Sequence, residues 1–87
     1  MLRWCVAPAA CYEWRDWDGQ AVVFVHATGD THALSPEATS LLVVMRARSN
    51  ETHATPAWMQ FANLADGDGE ALMQGLAAIG LVRYQQP

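Results

Sequence analysis

The chain has 87 residues, 52% of them apolar, with nine acids, five arginines, no lysine and a net charge of −4. This length suits one domain with a modest core, and the apolar content excludes an intrinsically disordered chain. The acidic balance repels phosphate backbones, the lack of lysine excludes Schiff-base chemistry, and no apolar run approaches the roughly 20 residues needed to span a bilayer.

The N-terminal stretch MLRWCVAPAACYEW has one arginine and too short an apolar segment for a secretory signal, which points to a cytoplasmic protein. Residues 1–10, with Trp4, Val6 and Pro8, read as an irregular or short extended lead-in. Tyr12 to Trp17 is a first strand, and Asp18-Gly19 a hairpin turn signal. The second strand spans 21–26, where Val22, Val23, Phe24 and Val25 are β-branched or aromatic. Thr28-Gly29-Asp30 reads as the next turn, with Gly29 free to take positive φ, and Thr31 to Leu34 as a short return strand. Ser35 then offers a capping hydroxyl, Pro36 fits a first helical position, and Glu37 suits the positive end of the dipole.

That first helix covers about 36–48, with Ala38, Leu41, Leu42 and Met45 on one face. Residues 49–54 are polar and turn-forming, and Thr55-Pro56 repeats the cap-plus-proline signature. A second helix, about 56–63, carries Trp58, Met59 and Phe61. After a turn over Ala65 to Gly69, a third helix runs from about 69 to 79 and ends at Gly80. In it Leu72, Leu76 and Ile79 read as core and Met73 as the lining of an adaptable groove. Residues 81–84 are a closing strand or extended tail. Three strands followed by three helices predict a single α+β domain over 1–87, winged-helix-like, with a three-stranded antiparallel sheet.

No catalytic constellation emerges, so the chain is expected to have no turnover of its own. Ser35 and Ser40 lack a nucleophile elbow. Gly67-Asp68-Gly69 lacks the lysine and the preceding strand of a phosphate loop. Glu13, Asp16, Asp18 and Asp30 gather loosely around turns, where aspartate serves local hydrogen bonding. Cys5 and Cys11 are expected to be reduced thiols with packing roles. His26 and His32 flank the hairpin turn. A two- or four-residue loop would set His26 opposite Thr31, whereas a three-residue loop would make the two histidines a facing pair. Zinc would need further ligands, with His53 or Cys11 coming from afar. Neither a metal nor a cofactor is therefore expected. Trp4, Trp14, Trp17 and Trp58 divide between core and interface.

The short third strand closes its sheet and leaves an edge that can accept a peptide as an added strand. The run WDGQAVVFVHATGDTHALSPEATSLL at 17–42, with its strand, Gly turn, THxL strand and Ser-Pro helix start, resembles the PqqD family of peptide chaperones, also called RiPP recognition elements; GLV at 80–82 extends the likeness. It is also similar to the branch of that family found beside kinases related to the HPr kinase. The stretch 49–68 has no residue-by-residue counterpart. The resemblance implies binding of a precursor peptide's leader as an extra strand on the third strand and against the third helix, and its presentation to a modifying enzyme of kinase-related or radical type. Carried onto this chain, the peptide-binding positions are Asp30, Thr31, His32, Ala33, Leu34, Glu70, Met73, Gln74 and Ala77. No nucleic-acid or membrane partner is implied, and edge pairing makes a homodimer an option. The alternative is a winged-helix DNA-binding regulator, against which the acidic charge argues.

Overall fold

Ala21, Val23 and Val25 are buried while their neighbours in the chain are not, and this period of two directs one face of a strand into the core. The computed structural model of the chain describes residues 3–17, 20–65, 67 and 69–85. In chain order it comprises β1 (Arg3–Val6), a single 3-10 turn (Ala9–Cys11), β2 (Tyr12–Trp17), β3 (Gln20–Val25), β4 (Asp30–Ala33), α1 (Pro36–Ala47), α2 (Thr55–Phe61), α3 (Gly69–Ala78) and β5 (Val82–Gln85). The fold is α+β. A three-stranded antiparallel sheet, order β2-β3-β4, is followed by three helices, as expected from the sequence. The expected turn at Asp18-Gly19, and Asp68, lie outside the described residues.

One layer was not foreseen. β1 and β5 pair into a second, two-stranded antiparallel sheet, with Trp4 opposite Tyr84 and Val6 opposite Val82. The lead-in and the tail are thus strands, each stabilised by a partner at the far end of the chain. The polar stretch after α1 adds a bridge on the other side of β1. There the Trp4 N–H donates to the His53 carbonyl (2.8 Å) and the His53 N–H to the Trp4 carbonyl (3.2 Å).

The core is continuous. Leu41, Leu42 and Met45 of α1 pack with Trp58 and Met59 of α2, Met73 and Leu76 of α3, Trp4, Val23 and Val82 of the sheets, and Leu81 just before β5. Trp58 is fully buried and its Nε1–H donates to the Trp4 carbonyl (2.9 Å), which ties α2 to β1. Trp4 and Trp58 are therefore core residues, while Trp14 is half-buried. At the surface, Glu51 accepts from His53 (2.8 Å) and Arg48 (3.2 Å), and these bonds, led by that from His53, hold its carboxyl below the usual carboxylate range.

The helix signals hold in two cases and shift in a third. Ser35 caps α1, its hydroxyl accepting from the Ala38 N–H (3.2 Å), with Pro36 and Glu37 in the first turn. At α3 the Gly80 N–H donates to the Ala77 carbonyl (3.1 Å) and the Leu81 N–H to the Leu76 carbonyl (3.0 Å), the pairing of a Schellman end, with Gly80 at φ +86°. Thr55, however, does not cap α2. Ala54 occupies that position, and Thr55 is buried with its hydroxyl donating to Glu70 Oε2 (2.9 Å), so it links α2 to α3 instead.

Gly29 has φ +73° and open space around it, so its constraint is backbone conformation alone. Gly29→Val is expected to cost about 1–3 kcal/mol, lowering the melting temperature clearly, whereas Gly67→Val, with no positive φ and no near neighbour, leaves it almost unchanged. Two glycines of α3 differ for another reason. A Cβ on Gly69 would meet Met59 Cγ at 2.7 Å and Thr55 Cγ2 at 2.9 Å, while one on Gly75 meets nothing within 4 Å. Urea denaturation should show Gly69→Ala losing about 1–3 kcal/mol through overpacking and Gly75→Ala gaining about 0.5–1 kcal/mol through helix propensity.

Candidate functional site

β4 pairs with β3 on one side, and among the described residues no strand pairs with its other side. The register sets Val22 opposite Ala33, Val23 opposite His32, Phe24 opposite Thr31 and Val25 opposite Asp30. The Leu34 N–H donates to the Ala21 carbonyl (2.8 Å), which makes that position a hydrogen-bonded one. Antiparallel ladders alternate, so His32 and Asp30 also turn their backbone groups toward β3, and Thr31 and Ala33 turn theirs to the open edge.

The two faces of the sheet differ. Ala21, Val23 and Val25 face the core, together with the half-buried His32. On the outer face, the half-buried Val22 and Phe24 lie among exposed Glu13, Arg15, Thr31 and Ala33. α3 packs mainly on α2, β5 and α1, and β4 mainly on β3. The loop before β4 and the start of α1 after it each share a cavity with α3. Ala27 and Thr28 share a cavity of about 340 Å³ with Ala77 and Ile79 at the C-terminal end of α3. Glu37 shares another, of about 260 Å³, with Leu72 nearer the N-terminal end.

Comparison of the chain with protein-family models, curated proteins and solved structures finds no match.

The expected site residues separate into three groups. Asp30, Thr31 and Ala33 are exposed along the edge, with His32 between them half-buried on the core-facing side, and Ala77 lines the larger of the two cavities beside α3. Glu70 and Gln74 are exposed but engaged with each other and with Thr55. Gln74 Nε2 donates to Glu70 Oε1 (3.3 Å), and Thr55 holds the other carboxylate oxygen. Leu34 and Met73 are corrections, because both are core side chains. Leu34 is buried beneath the end of β4, and Met73 is fully buried among the helices. Helical spacing puts residues 69, 73 and 76 on one face, and that face, not the one carrying Gln74, turns inward.

The loop of the hairpin is His26–Gly29, one residue earlier than the expected alternatives. His26 therefore lies in the loop and faces neither Thr31 nor His32. Its ring meets that of Phe24 edge-on at 5.4 Å. Among the described residues no three of His, Cys, Asp or Glu come together as a metal cluster. Cys5 and Cys11 are free thiols, and Cys11 lies at the mouth of the cavity lined by Ala77, 3.9 Å from Arg83 Nη2. Arg83 had no sequence signal as a site residue. It reaches that cavity through the pairing of β5 with β1. Among the described residues no helix is long and apolar enough to cross a membrane.

Proposed function

We propose that this chain is a non-catalytic peptide chaperone of the PqqD kind, which binds a precursor peptide's leader as a fourth strand on β4 and presents it to a modifying enzyme in the cytoplasm. The observation that carries this reading is the uncovered edge of β4, with the backbone groups of Thr31 and Ala33 turned outward. A peptide lying there alternates its side chains between the outer face, beside Val22 and Phe24, and the core-facing side, beside the half-buried His32. Each ladder bond contributes only about 0.5–1.5 kcal/mol net. Specificity must then come from those side-chain sites.

The test is a titration of the ¹⁵N-labelled chain with the short peptides encoded beside its gene. Saturable binding that perturbs the amides of Thr31 and Ala33 first supports the reading. Binding confined to another surface, or none from any of these peptides, overturns it. A mobility shift of generic duplex DNA at low salt would instead favour a DNA-binding regulator, and self-association through β4 would appear as a concentration-dependent mass.

A further inference from the structure

A separate cleft lies on the far side of the sheet from β4, between the start of β2 and the C-terminal end of α1. Its volume is about 580 Å³, in the range of small-ligand sites. Val6, Pro8 and the ring of Tyr12 form an apolar wall, and Arg46, Ser49 and Asn50 a polar one. The Arg46 guanidinium stands 4.9 Å from the centroid of the Trp14 ring and 6.0 Å from that of Tyr12. Stacking on aromatic faces orients a guanidinium while leaving its N–H edge free to donate. The ion pairs among the described residues join Glu51 to Arg48 and to His53; none involves Arg46. An acidic protein thus holds one oriented cation, beside an apolar wall, without an anionic partner there.

We infer that this cleft binds a small carboxylate carried on an apolar body. The fork of N–H donors on Arg46 matches two carboxylate oxygens. Tyr12 is buried, and burial pushes its phenol pKa up even against the pull of Arg46, so the hydroxyl keeps its proton at neutral pH and is a donor. A monoanion fits better than a phosphate, because among the described residues Arg46 is the only cation lining the cleft and it sits in the last turn of α1, whose negative end disfavours a second charge. The same chemistry is offered by a free organic acid and by the C-terminal carboxylate of a peptide.

The probes are N-acetylphenylalanine, its primary amide, and a tetrapeptide ending in phenylalanine with a free carboxylate, each titrated into the ¹⁵N-labelled chain. The acid is expected to shift the amides of Tyr12, Ala47 and Ser49 and to bind about tenfold or more tightly than the amide. Arg46→Gln, at an exposed position, should bring the acid down to the level of the amide in a domain that still melts cooperatively, its melting temperature lowered by no more than the lost stacking on Trp14 and Tyr12. Tighter binding of the tetrapeptide than of the acid assigns the site to a chain terminus, and equal binding assigns it to a free acid. Equal affinity of acid and amide for the wild-type chain, or no binding by any probe, overturns the inference independently of any variant. Unaltered acid binding by folded Arg46→Gln overturns it as well.

Discussion

Met73→Asp is expected to unfold the domain. Met73 has no exposed surface and lies in the core with Leu76, Met59 and Trp58. Truncating a buried methionine already costs about 2–5 kcal/mol in lost transfer energy and residual cavity. A carboxylate there adds an unpaired charge whose desolvation costs several kcal/mol more, or else it takes up a proton and remains a poorly satisfied polar group. Domains of this size are stable by roughly 5–10 kcal/mol, so the two penalties together use up most or all of the margin. Circular dichroism and a urea titration at neutral pH should find the variant largely unfolded. Gln74→Ala, one residue along on the exposed face, should change stability by less than about 0.5 kcal/mol. A cooperatively folded Met73→Asp with near wild-type stability would mean that α3 turns a different face inward.

Ala33→Pro is expected to weaken peptide binding strongly, on the strand-addition proposal, while leaving the domain folded. The Ala33 N–H is turned to the open edge, so proline removes no bond of the existing ladder, and the Leu34–Ala21 bond beyond it is kept. Edge strands are the place in a sheet where proline is tolerated. An added strand would lose one donor and meet the pyrrolidine ring where it must approach most closely. The affinity for a leader peptide should fall by at least about tenfold, a loss larger than one net hydrogen bond because the register of the whole added strand is disturbed. Anisotropy with a labelled peptide and a melting curve on the same sample separate the two effects. Unchanged affinity in the folded variant would place the peptide elsewhere.

Local chemistry determined most of the elements. The β-branched and aromatic run Val22–Val25, the Ser35-Pro36-Glu37 start, Gly29 at positive φ and Gly80 at the end of α3 all act over a few residues, and each stands where the sequence alone puts it. The open edge of β4 follows as well, since a short last strand of a hairpin pair has only one neighbour to hand. Tertiary structure decided everything that depends on partners remote in the chain. β1 and β5 are strands only because the two ends of the chain meet, and neither four-residue run carries a turn signal to announce it. The face of α3 that turns inward was decided by where α2 and α1 lie. At roughly 100° per residue the apolar positions 72, 73, 76 and 79 form one stripe about 120° wide with Met73 at its edge, so periodicity put Met73 on the apolar stripe but did not show how far α1 and α2 would cover that edge. Thr55 read as a cap because the Thr-Pro signature is local, and it became a link to Glu70 because α3 folds back onto it. The cleft at Arg46 belongs to the same class, since its walls come from the connection into β2 and the end of α1, which only packing brings together.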